Sequence, residues 1–208
     1  MSFQLGAFAR LRFARLAAIT LGAFVLGILS GCASHYVDGT TRDMKAQIQR
    51  PATPSPVQLL FQFETKGVAN SRATEHLKKQ IVEEVKASGL FSLVEDAPVA
   101  GGALLDVKLN NVPVGDDAFS KGFVTGLTFG LAGSQVSDGY ICTVRYMPAG
   151  GLPIVKVARH AIHTTMGAAA SPGNAKKAAT INEAVASMTQ QILSTALNEL
   201  SHDPDFNK

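Results

Sequence analysis

Tryptophan is absent from this chain of 208 residues, and there are only three tyrosines and two cysteines. Two cysteines cannot build a disulfide framework, so the fold has to be held by its core. The apolar stretch Leu16 to Leu29 has 14 residues, short of the roughly 20 that a membrane-spanning helix needs. No GxSxG, P-loop, GxGxxG following a strand, HExxH or paired CxxC occurs, which removes the hydrolase, nucleotide and zinc signatures and argues against an enzyme. A basic excess is also missing once the chain is divided. Of 19 Lys+Arg, Arg10, Arg12 and Arg15 lie in residues 1–31, leaving 16 against 16 Asp+Glu. A near-neutral remainder lacks the basic face that phosphate neutralisation demands, so nucleic acid is not expected as a partner.

What is present begins with an export signal: three arginines and no acids in residues 1–15, then the apolar run, then small residues. The residues Leu29-Ser30-Gly31-Cys32 resemble the lipobox of bacterial lipoproteins position for position. The resemblance implies cleavage before Cys32, a diacylglycerol on its sulfur, an acyl chain on its new amino group, and no other cofactor. Ala33 follows the cysteine rather than Asp, which resembles lipoproteins sorted to the outer membrane and implies the periplasmic face of that membrane. Three acyl chains, at about 0.8 kcal/mol per buried methylene, make detachment negligible.

The expected organisation is a signal over 1–31, a lipidated flexible tether over 32–56, a domain over 57–202 and a tail over 203–208. The tether is read from repeated prolines at 51, 54 and 56 and the lack of apolar periodicity. Fully extended, Ala33 to Pro56 would reach at most about 80 Å. Strand alternation starts at Leu59, Phe61 and Phe63, and a helix with the stripe Ala73, Leu77, Ile81 and Val85 runs from an Asn70 or Ser71 cap to Gly89. Short strands follow at 90–95, around Leu105 to Leu109, at 140–146 and at 154–164. Ser171-Pro172 is read as opening a last helix with the stripe Ala178, Ile181, Val185, Met188, Ile192, Ala196 and Leu200. The order β-α-β-β-β-β-α predicts a two-layer α+β domain, an antiparallel-rich sheet with two helices on one face.

Between the third and fourth strands lies an apolar, glycine-rich insertion, Ala118 to Gly133, whose only charge is Lys121. Gly122, Gly126 and Gly130 recur every four residues and would line one face of a helix, with Phe123, Leu127 and Leu131 beside them. Interior glycines cost a helix about 1 kcal/mol each in water, so the segment has to pack against something. Three readings stand: a lid on its own sheet, a membrane contact through Phe119, Phe123 and Phe129, or a face joining a partner protein or a second copy. Gly126 to Leu131 also resembles the LTLGL stretch of a broad group of small envelope lipoproteins of unassigned activity. The anchor and domain order loosely resemble activators of cell-wall synthases and the curli secretion channel family.

Other constellations are weaker. His160 and His163, three apart in a strand, point to opposite faces and read as exposed or cross-strand-paired rather than as a metal pair. Asp116-Asp117 reads as a solvated turn before a cation site, Glu95-Asp96 as a strand end, and Cys142 as a small buried apolar group. Lys176-Lys177 are placed in the first turn of the last helix, with phosphate or headgroup contact as their functional alternative. These features predict a non-enzymatic, membrane-anchored accessory or assembly factor for an envelope complex. The second reading is binding or carriage of a lipid or other apolar ligand beneath the glycine-rich insertion.

Overall fold

The computed structural model describes residues 33–114, 133–167 and 169–206, apart from the side chains of 133 and 134. The residues from Ser34 onward form one compact unit. Its strands are β1 (Ser34–Val37), β2 (Val57–Thr65), β3 (Val68–Ala69), β4 (Val94–Glu95), β5 (Ala103–Pro113), β6 (Gly133–Met147), β7 (Ile154–Gly167) and β8 (Lys176–Ala178). The helices are α1 (Ser71–Ser88) and α2 (Ile181–Ser201). The sheet order is β3-β2-β5-β6-β7-β1-β8, with β4 beside β3 on the outer edge of β2.

This is the two-layer α+β domain the alternation predicts, with a mixed sheet. The β2–β5 and β2–β4 ladders are parallel and the others antiparallel. Parallel pairing of β2 with β5 follows from the helix that joins them, since a crossover through α1 returns the chain in its starting direction.

Both helices form where the sequence gives them a face and a cap. Asn70 Oδ1 accepts from Ala73 N at 3.1 Å, and the stripe Leu77, Ile81 and Val85 is buried. Gly89 ends the helix at φ 71°, a left-handed conformation that glycine adopts without strain. A side chain there would also meet Arg50 Nε at 2.6 Å. Thr180 caps α2, accepting at its hydroxyl from Glu183 N at 3.1 Å. Met188, Ile192, Leu193, Ala196, Leu197 and Leu200 are fully or almost fully buried. Each large one stabilises the fold by about 1.5–3 kcal/mol. Gln80 Nε2 donates across the helices to Ala186 O at 2.8 Å.

The structure departs from the sequence reading in four places. First, the last helix starts at Ile181, not near Pro172, and Lys176-Lys177 lie in β8 rather than in a helical turn. Ile181, expected in the buried stripe, is 43% exposed. Second, Leu90 to Leu93 is not strand, although Leu90 and Phe91 are buried. Third, residues 34–56 lie along the domain instead of forming a free tether. Strand β1 is inserted between β7 and β8, pairing Ser34 with Thr165 and Tyr36 with Lys177. The following residues run beside α2: Met44 N donates to Ser194 Oγ at 3.0 Å and Gln49 N to Ser201 Oγ at 3.1 Å. Arg50 then reaches Ser88 O, 3.3 Å from its Nε. At Gly39 an added side chain would collide with the Asn174 carbonyl oxygen, so that position has to be glycine for the strap to seat. Fourth, the end expected as a tail is fastened too, with Lys156 Nζ 2.8 Å from Asp203 Oδ2 and Phe206 packed on the core.

Candidate functional site

The residues singled out by sequence fall largely beyond description. Cys32 and the insertion residues Phe119, Gly122, Phe123, Gly126, Leu127, Phe129, Gly130 and Leu131 lie outside the described residues, as do Asp116 and Asp117. The strands that flank the insertion are described. Strand β5 ends at Pro113 and β6 resumes at Gly133, paired with Gly167 at the Ser34 end of the sheet.

Near that end the structure assembles a buried polar line from three distant parts of the chain. His163 is buried on the sheet face away from the helices, and its Nε2 donates to Asp38 Oδ2 at 3.0 Å. Ser137, its cross-strand partner, places Oγ 2.7 Å from His163 Nδ1. Asp38 Oδ1 accepts from Thr40 N at 2.7 Å and from the Thr40 hydroxyl. Burial works against the Asp38 charge, yet the bonds from His163 and Thr40 outweigh it and hold the carboxyl below its ordinary pKa. The acid, base and alcohol occur in the order of a nucleophilic triad. Their placement, however, fastens strand to strand: Asp38 from the end of β1, His163 from β7, Ser137 from β6. Asp38 N also donates to Ala161 O at 3.1 Å, and the Thr41 hydroxyl to Arg159 O at 2.6 Å.

His160 points to the opposite face, as the three-residue offset requires, but it is buried under α2 rather than exposed. Its Nε2 donates to Gln191 Oε1 at 2.7 Å and its Nδ1 accepts from Ala161 N at 2.9 Å. One donor and one acceptor fix a neutral ring. Burial accordingly lowers its pKa, against the opposing hydrogen bonds. Cys142 is buried, and burial pushes its thiol up to about 12, which leaves it unreactive. Among the described residues no group of three or more His, Cys, Asp or Glu is placed to hold a metal ion.

The far end of the sheet carries an open cleft of about 670 Å³. Its floor includes Phe91, Tyr146 and Phe206, with ring centroids 5.0 Å apart for Tyr146 and Phe206 and 6.1 Å for Phe91 and Phe206. Edge-to-face packing of this kind adds about 0.5–1.5 kcal/mol per pair to the area buried. Arg50, Pro51, Pro148 and Ala149 are also among the lining residues, so the end of the strap and the β6–β7 turn build the rim together. Asp205, Gln49, Thr53 and Ser55 complete the lining, so the cleft combines an aromatic floor with polar walls and charge of both signs. None of these residues stood out in the sequence. By sequence, Arg50 and Pro51 belong to the expected tether and Phe206 to the expected tail.

No protein-family model matches the sequence, and no curated protein is similar to it. Comparison with solved structures finds weak likenesses. A PelC variant dodecamer from Paraburkholderia phytofirmans is 12% identical, with 81% of this chain and 95% of that one covered, at a TM-score of 0.34. A minor lipoprotein from Acinetobacter baumannii is 14% identical, covering 71% of this chain and 90% of that one, also at 0.34. A neuraminyllactose-binding hemagglutinin homologue from Helicobacter pylori is 11% identical, covering 76% and 92%, at 0.32. Likeness at this level carries nothing about ligand or partner.

Proposed function

We propose that the chain is a bacterial envelope lipoprotein, acylated at Cys32 and anchored at the periplasmic face of the outer membrane. In this reading it is not an enzyme but an accessory or assembly factor that engages a protein partner. The observation that carries it is Leu29-Ser30-Gly31-Cys32, standing immediately before a folded domain, at the end of a segment that reads as an export signal. Among the described residues no helix is long and apolar enough to cross a membrane. The cleft beside Arg50 supports a partner at the far end, and the glycine face of Gly122, Gly126 and Gly130 supplies a second contact, to a partner or another copy.

Two experiments in cells test this. Cys32→Ser should abolish fatty-acid labelling and release the protein from the membrane fraction. A photocrosslinker at Ala149, on the exposed rim of the cleft, should give one discrete protein adduct, as should one at Phe123. Adducts to lipid alone at both positions would remove the protein-partner reading.

A further inference from the structure

The strap that replaces the expected tether restricts where the domain can sit. Only Ala33 separates Cys32 from Ser34, and Ser34 is already paired with Thr165 in the sheet. Two residues span at most about 7 Å, so lipid on Cys32 would hold this end of the sheet at the bilayer surface. Large apolar side chains are exposed at this end, as at several other places on the domain. Val136 is 48% exposed, Met166 42% and Ile181 43%. Register brings the first two beside the anchor strand: His35 pairs with Thr164, Thr164 with Val136, and Met166 with Ser134. Ile181 opens α2 three residues after Ala178, which pairs with His35 from the other side.

Charge is arranged to match. Lys176 and Lys177 are exposed in β8, paired with Val37 and Tyr36 of the anchor strand. Of the acids near this end, Asp38 is engaged with His163 and Thr40 and Glu183 with Ala179 N at 2.8 Å, while Asp138, opposite Ile162, offsets one of the two cations. Apolar side chains for the acyl boundary beside two ammonium groups for phosphates are the two components of interfacial binding.

We infer that the β1 end of the sheet is a membrane-contact face, with Val136, Met166 and Ile181 meeting the acyl boundary and Lys176 and Lys177 the headgroup phosphates. This rests on acylation at Cys32. The cleft beside Arg50 then faces away from the bilayer. From the Thr165 level to the Ile154 level β7 spans 11 residues, about 35 Å of strand.

The test uses the full acylated protein in vesicles of phosphatidylethanolamine and phosphatidylglycerol, with nitroxide labels introduced by Val136→Cys, Met166→Cys, Ile181→Cys and Leu152→Cys. Leu152 is 87% exposed in the β6–β7 turn and serves as the distal reference. The mass of the Cys32 peptide is read on the same samples, and a label site counts only where the variant keeps the parent's melting transition. Labels at 136, 166 and 181 should lose accessibility to a water-soluble relaxation agent and gain it to oxygen, while the label at 152 stays aqueous. If Cys32 is acylated and the surviving proximal labels are as aqueous as 152, the membrane face is overturned and the lipoprotein reading stands. If Cys32 carries no lipid, both fall.

Discussion

The two ends of the sheet are built from opposite materials. Around β1 the chain is fastened by a buried, hydrogen-bonded line, Asp38–His163–Ser137, together with Thr40 and Thr41. At the other end it is fastened by rings, Phe91, Tyr146 and Phe206, around an open cleft. A buried carboxylate is costly to form and costlier to strip of its hydrogen-bond partners, because its charge is then left uncompensated. It therefore suits a junction that has to stay in one register under load from an anchor. Aromatic packing tolerates small displacements and presents surface, which suits contact with something else. The difference teaches that residues 34–56 are one strap with two tasks, pinned at its start and lining a cleft at its finish.

The comparison breaks most sharply at the polar end. His163→Ala leaves Asp38 buried without one of its main partners and should destabilise the domain by about 3 kcal/mol, measured by urea denaturation of the unlipidated Cys32→Ser protein. Amide exchange should show Ser34 to Val37 losing protection before the rest of the sheet. Gly39→Ala should act at the same place by a different cause, overlap with the Asn174 carbonyl, at about 1–3 kcal/mol. If either variant is as stable as the parent, the strap is not pinned there.

At the aromatic end the expected effects are smaller. Phe206→Ala removes two ring contacts from a partly buried side chain and should cost about 1–2 kcal/mol. It should leave exchange at Ser34 to Val37 unchanged, and a shift there would mean that the two ends are not independent. Lys156→Met, which removes the partner of Asp203, should cost only about 0.5–1 kcal/mol, since the pair is partly solvated.

Acid should separate the ends again. His160 is held neutral by burial, with its pKa lowered. As pH falls through the ordinary histidine value, about 6.5, the unfolded chain takes up a proton that the folded one refuses. Stability therefore falls with pH, by at most about 1.4 kcal/mol per unit, until the folded pKa is reached. Asp38 has a depressed folded pKa, so its stabilisation is complete above the unfolded value near 4 and is lost as pH falls through the folded one. Denaturation midpoints across pH should thus show two declines. His160→Leu should remove the upper one, and Asp38→Asn the lower.

Much of this architecture was legible. Alternation marked β2 and β5, hairpin spacing across the turn at 148–151 marked β6 and β7, and the stripe in α1 ended at a glycine that the left-handed turn requires. Strands β1 and β8 were not legible. Four residues, Ser-His-Tyr-Val, and three, Lys-Lys-Ala, are too short to show a period; β1 exists because β7 offers an edge, and β8 because β1 then offers another. The polar line was hidden for a related reason. Its members are 26 and 125 residues apart, so no local motif joins them. His163 could not be recognised as paired while Asp38 was counted in a tether. The three-residue offset correctly sent His160 and His163 to different faces, but periodicity says nothing about whether both faces are covered.

The central claim is that the domain is held against its membrane without slack. Neutron reflectometry of the acylated protein on a supported bilayer measures this directly. The account predicts a protein layer contiguous with the headgroups, separated by no more than about 10 Å of water. A hydrated gap of several tens of ångströms, as a free tether of residues 33–56 would produce, would contradict it.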